Sequence, residues 1–113
     1  SLAWQADAMA ANGDLPGALA LRRRQLDFAE DLARRNPADK RVAEARFLAG
    51  FGLAKQLRAA GREGEARREM AAARTIMADL RRRDPQNGDW SSWLDQADTF
   101  LSARNQASSP ERN

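Results

Sequence analysis

The sequence contains no cysteine and no histidine. Disulfides, Cys/His zinc sites, thiol nucleophiles and imidazole bases are excluded with them, and much of enzyme chemistry follows. Tyrosine is missing too, and aromatic residues make up only 6% of the chain, which leaves few rings for stacking on nucleic-acid bases. No apolar run approaches the roughly 20 residues that span a bilayer, so a soluble, cytoplasmic chain is expected. The first residue is Ser1 and not methionine, and an upstream domain of the same chain, catalytic or anchoring, is an expectation drawn from that.

What the sequence does have is alanine, arginine and charge. Charged residues account for 31% of 113 positions, and strong helix formers fill most of the rest, so the expected class is all-α with a single domain. The isoelectric point near 10.5 comes from 19 basic against 16 acidic groups, a net charge of only +3. That is a mild bias.

Turn signals at Asn12-Gly13-Asp14, Asn36-Pro37-Ala38-Asp39, Gly61-Arg62-Glu63-Gly64 and Asp84 to Asp89 divide the chain into five helical segments. They fall near residues 2–12, 15–35, 40–60, 63–83 and 90–105, and residues 107–113 read as a disordered tail.

The divided chain repeats itself. Asp31-Leu32-Ala33-Arg34-Arg35-Asn36-Pro37 recurs as Asp79-Leu80-Arg81-Arg82-Arg83-Asp84-Pro85, an offset of 48 positions that also carries Gly13 onto Gly61, Ala18 onto Ala66 and Phe28 onto Ile76. Two helices fit each period. Gly13 and Gly61 belong in tight turns that need a positive φ, and Pro37 and Pro85 end each hairpin. Ala6, Ala18, Ala54 and Ala66 are the small residues where antiparallel helices touch. Ala18, Gln25, Phe28 and Leu32, with their counterparts Ala66, Ala73, Ile76 and Leu80, are expected to face the core. The third segment is apolar around much of its circumference and is expected to be buried on two sides. The fifth, with Trp90, Trp93, Leu94, Ala97, Phe100 and Leu101, is amphipathic and lacks a partner, as a capping helix does.

These residues resemble the tetratricopeptide repeat, which sets Trp, Leu-Gly and Tyr on a first helix, Ala and Phe on a second, then Pro. The second repeat offers Gly50, Leu53-Ala54, Leu57, Ala66, Met70 and Pro85; the first offers Leu2, Gln5-Ala6, Met9, Ala18, Arg22 and Pro37. The period exceeds the common ~34 residues. It is similar to the long variety found in bacterial multidomain signalling proteins, where repeats close on Asp-Pro-x-Asn-x-x-Trp, as Asp84 to Trp90 does here.

The resemblance implies a right-handed α-solenoid fragment over residues 1–106: one hairpin at about 2–37, a second at about 40–85, and the capping helix at about 90–105. It further implies a non-catalytic scaffold that holds a protein or peptide partner in a groove lined by the first helices of the hairpins. Ala3 and Asp7, then Phe51, Lys55 and Arg58, then Gln96, Thr99 and Ala103 would face that groove. The cationic clamp that some members use for a C-terminal carboxylate is not reproduced, since Ala3, Asp7, Gly52, Gln96 and Phe100 stand at its positions. No cofactor or metal is implied.

Other features admit blander readings. Lys55 and Arg58, three apart on one face, suit a carboxylate or acidic segment of a partner, or else are solvated charges. The arginine clusters at 22–24, 34–35, 67–68 and 81–83 alternate with acids and sit partly at helix C-termini, which favours a macrodipole role over a nucleic-acid footprint. Glu63, Glu65 and Glu69 read as a solvated face and not as acid/base catalysts. Gly50 and Gly52 read as sites of close helix packing. The expectation is therefore a binding module; its rival is a structural cap or oligomerisation segment packed on an upstream domain or on a second copy.

Overall fold

The computed structural model describes residues 2–11 and 13–103. Among these there are five helices and no strand: α1 (Leu2–Ala11), α2 (Leu15–Arg35), α3 (Lys40–Ala59), α4 (Glu63–Arg83) and α5 (Gly88–Ser102). The chain is all-α, as expected. The expected tail at 107–113 and the last residues assigned to the fifth segment lie outside the described residues. None of the described helices is long and apolar enough to cross a membrane.

Each helix stops for a local reason. Gly13 and Gly61 adopt φ of +87° and +79°, a region open to glycine at little cost. At the first turn the Gly13 amide donates to the Ala10 carbonyl and the Asp14 amide to Met9; at the second, Gly61 donates to Arg58 and Arg62 to Leu57. This double closure satisfies the carbonyls left open at a helix C-terminus. The helices start on side-chain caps: the Asp14 carboxylate accepts from the Gly17 amide at 3.0 Å, Asp39 from Arg41 at 2.9 Å, and the Asn87 carboxamide from Asp89 at 3.1 Å. Asn87 therefore opens α5 at Gly88, two residues ahead of the expected start. Arg34 and Arg35 close α2, and Arg81, Arg82 and Arg83 close α4, where cations complement the negative end of the helix dipole.

The period read from the sequence is also a period of the helices. Leu15–Arg35 and Glu63–Arg83 are the same length and 48 positions apart, and the Asp39 and Asn87 caps stand in the same register. α1 corresponds to only the last ten residues of α3. Successive helices pack on one another along the chain, α1 on α2, α2 on α3, α3 on α4 and α4 on α5, in a body of 43 × 31 × 19 Å.

The core falls into two clusters that share α3. Phe47 and Ala54 join Met70, Ala73, Met77, Leu80, Trp90 and Ala97, while Ala49, Leu53 and Leu57 join Leu26, Ala29 and Ala66. α3 is thus buried on two sides. Ala6, Ala18, Ala54 and Ala66 are fully buried. A Cβ on Gly50 would stand 3.3 Å from that of Ala73, so α3 and α4 meet there with only a methyl between them. Trp90 belongs to the core and donates its Nε1–H to the Glu44 carboxylate at 2.8 Å.

One expectation about α2 is corrected. Phe28 does not face the core; it is 67% exposed. The buried line of α2 runs through Ala18, Leu26 and Ala29, and that of α4 through Ala66, Met70, Ala73, Met77 and Leu80. Ile76, in the register of Phe28, is half-buried against the first part of α3 and the end of α2. Among the described residues nothing stands beside Phe28 as Ala43 to Phe47 of α3 stand beside Ile76.

α5 is two-faced. Trp90, Leu94, Ala97 and Leu101 turn toward the core, whereas Ser91, Asp95, Asp98 and Ser102, spaced four, three and four apart, form a polar stripe. In the 48-residue register that stripe replaces Ala43, Phe47, Gly50 and Ala54, the residues with which α3 meets α4.

Candidate functional site

Periodicity on two helices builds a cleft. Phe51, Lys55, Arg58 and Ala59 lie within three or four residues of Phe51 or Lys55 on one side of α3; Gln96, Thr99, Phe100 and Ala103 are grouped likewise about Gln96 and Thr99 along α5 and its end. The two rows enclose a hollow of about 590 Å³. All three α3 residues expected to face a partner, Phe51, Lys55 and Arg58, line it together with Gln96, Thr99 and Ala103. Asp7 lies in a neighbouring hollow of about 490 Å³, which shares Phe51, Lys55, Ala59 and Gln96 and is completed by Arg22, Leu48 and Gly52 among others. Ala3 lines neither.

The walls are aromatic. Phe51 meets Trp93 edge to face with centroids 5.5 Å apart, and Trp93 meets Phe47 in the same manner at 5.7 Å. Such pairs fix ring orientation beyond what burial alone supplies. Phe51 therefore presents a held surface.

The two cations differ in their commitments. Arg58 donates from Nε and Nη2 to the two carboxylate oxygens of Glu63 at 2.8 and 2.6 Å, and from Nη2 to the Ala103 carbonyl at 3.1 Å. Its guanidinium also lies 3.6 Å from the centre of the Phe100 ring. With side chains only 16% and 19% exposed, Arg58 and Glu63 form a tie between the α3–α4 turn and the end of α5. Glu63 is thus not the solvated side chain expected, and Arg58 meets it in a bidentate pair while lining the cleft. Lys55 is exposed, has no salt-bridge partner among the described residues, and holds its ammonium 5.8 Å from the centre of the Phe51 ring. Among the described residues it is the cleft's cation without an ion pair.

Asp7 is engaged as well. Its carboxylate accepts from Arg22 Nη2 at 2.5 Å; the arginine is 12% exposed and the aspartate 62%. Arg22 stands in the register of Met70, an inward-facing position, and reaches its partner across the face of α3 at Gly52.

Sequence reasoning set Phe100 at a clamp position but did not count it among the residues facing a partner, and it lines the cleft. The offset of 48 carries Gly52 onto Phe100, so a position on the inner face of α3 predicts one on the inner face of α5. Glu63 and Trp93 carried no such mark, because their roles depend on contacts between elements.

Elsewhere the charges pair among themselves. Glu65 is held below the ordinary carboxylate range mainly by the hydrogen bond it accepts from Arg62, and Asp98 by that from Arg74; both arginines are raised in return. Neither pair lines the cleft. Among the described residues no group of three or more acidic side chains is placed to hold a metal ion. No protein-family model matches the chain, and no curated protein or solved structure matches it.

Proposed function

We propose that this chain is a helical-repeat scaffold of the tetratricopeptide kind, a right-handed solenoid fragment closed by α5, that holds an extended protein segment in the cleft between α3 and α5. The bound segment carries an apolar side chain beside a carboxylate. The observation that carries this reading is the pairing of an oriented aromatic wall, Phe51, with an exposed lining ammonium, Lys55, that has no ion pair among the described residues. An apolar group displaces water from the ring, and the carboxylate answers the charge. The mechanism is binding, with no covalent step.

Two further features support the scaffold over its rivals. The 48-residue register of helix ends and caps is what a repeat array requires. The arginine clusters that resemble a nucleic-acid footprint are largely committed: Arg23, Arg34, Arg35, Arg67, Arg82 and Arg83 all pair with carboxylates. The polar stripe on α5 favours a second role for that helix, as the cap of the array.

Selection of a random peptide library displayed on phage against the immobilised chain tests the proposal, followed by amide chemical-shift mapping of the strongest peptide. Enriched peptides combine an apolar residue with Asp or Glu, shift the Phe51, Thr99 and Phe100 amides most, and lose binding to Lys55→Glu. No enrichment, or shifts centred away from these residues, refutes it.

A further inference from the structure

Among the described residues two arginines, Arg22 and Arg46, have a buried Nε–H without a hydrogen-bond acceptor, an arrangement that buried polar groups seldom keep. Both stand where the repeat sets an apolar side chain. The offset of 48 carries Arg22 onto Met70, which is buried, and Arg46 onto Leu94, which packs against the core. Arg22 has its answer in Asp7 at 2.5 Å. Arg46 has only Glu30 at 3.9 Å, too far for a hydrogen bond, and its side chain is 40% exposed. Helix packing asks for no charge at this position.

Arg46 lines a hollow of about 290 Å³ between the end of α2, the start of α3 and the end of α4. Arg83 lines it too, steadied by the Ala38 carbonyl, which accepts from its Nη2 at 3.0 Å, and by Asp79 at 3.5 Å. Asp79 also takes Arg82 at 3.1 Å, so one carboxylate is divided between two guanidiniums. With Arg46 and Glu30 added, three positive charges stand against two negative ones. Asn36 brings an amide: one hydrogen of its Nδ2 goes to the Leu32 carbonyl at 2.9 Å, and a second remains. The rest of the wall, Ala33, Pro37 and Ile76 among others, is apolar.

We infer that this hollow binds a small organic oxyanion, a phosphate or carboxylate on a compact apolar body, with Arg46 and Arg83 on its oxygens and the body against Ala33, Pro37 and Ile76. A guanidinium presents Nε and one Nη along one edge, the edge with which Arg58 grips Glu63, and two oxygens of one anion match it. Arg46 turns toward the hollow to do so. That movement gives up only the distant contact with Glu30 and supplies the acceptor that its Nε–H lacks. Pockets for drug-sized ligands begin at about 300 Å³, so the hollow suits a single small molecule better than a length of chain. It shares no residue with the cleft between α3 and α5, and the inference stands apart from the function proposed above.

NMR titration of the whole isotope-labelled chain with phenyl phosphate and, separately, benzoate tests it, reading backbone amides and arginine Nε–H signals. At least one probe is expected to saturate at roughly millimolar concentration or below. The Arg46 Nε–H moves most among the arginines, the Asn36, Ala43 and Ile76 amides follow, and the Arg22 Nε–H stays in place. Arg46→Gln weakens binding about tenfold, the worth of one charge-assisted hydrogen bond. Asp79→Asn tightens it, because Arg83 is released to the ligand; a residue acting only through the fold would not raise the affinity. Inorganic phosphate and formate, which lack the apolar body, bind about tenfold more weakly than their phenyl counterparts. Failure of both probes to saturate, shifts spread evenly over the exposed arginines, or an Arg46→Gln chain that binds like the parent overturns the inference. Equal affinity with and without the phenyl group marks an adventitious ion only, and overturns it as well.

Discussion

A Cβ placed on Gly52 would lie 2.5 Å from Nη1 of Arg22, so the glycine of α3 is the space that the arginine of α2 occupies. The guanidinium is 12% exposed, and its Nε is buried with no hydrogen-bond partner among the described residues. The arrangement combines a poor helix former with an incompletely satisfied charge.

The two substitutions at this contact are expected to couple. Gly52→Ala gains about 1 kcal/mol of helix propensity but displaces Arg22 from Asp7, so alone it changes stability little. Arg22→Met removes the buried charge, and Asp7, 62% exposed, stays solvated; the inward position accepts an apolar side chain as it does at Met70. The double variant is therefore more stable than the sum of the singles by about 1 kcal/mol. Denaturant unfolding of the full cycle checks this; additive changes mean that Gly52 is not the seat of Arg22.

Arg58 and Lys55, neighbours in the sequence and in the cleft, separate cleanly by stability. Arg58→Ala breaks the bidentate tie to Glu63, releases the Ala103 carbonyl and uncovers the Phe100 ring. A partly buried pair of this kind costs about 2 kcal/mol to break from one side, or roughly 10 °C in Tm for a domain of this size. Lys55→Ala stays within about 0.5 kcal/mol of the parent. Equal melting temperatures for the two variants would return Arg58 to the status of a solvated surface charge.

The contrast between these residues marks where the sequence stopped being informative. Helix ends were legible because glycine, proline and capping side chains act within four residues, and Gly13, Asp39 and Asn87 do so here. The cleft's lining was named in outline by the resemblance, which set Phe51, Lys55, Gln96 and Thr99 toward a groove, and these residues share one hollow here. The contacts of Arg58 were not legible because its partners lie across a turn and on another helix: Glu63 is five residues on, and Phe100 belongs to α5. Phe28 was misjudged for the opposite reason. Its register with Ile76 is sound, but burial needs a neighbour, and the described residues hold no counterpart of the first half of α3. Local pattern predicts which side chain points where; it does not supply what stands opposite.

Acid is expected to loosen α5 through Asp98. Its carboxylate accepts from Arg74 on α4, and that hydrogen bond, with the guanidinium's charge adding to it and desolvation opposing, holds the group below its ordinary value. A carboxylate whose pKa is depressed in the folded state binds fewer protons there than in the unfolded chain. The pair's contribution is therefore present in full above the unfolded value of about 3.9 and is lost as pH falls through the lower folded value. The same sign holds for Glu65 beside Arg62, but that contact stays within the start of α4, whereas Arg74–Asp98 joins two helices. Titration of the side-chain carboxyl carbons by NMR is expected to give Asp98 a midpoint below about 3.9, and Arg74→Gln to move it up toward that value. Added salt acts in the same direction, because both side chains are more than a third exposed and screening reaches them. An Asp98 midpoint that ignores Arg74→Gln shows that the two side chains do not meet in solution, and removes the pair from any account of how α5 is held.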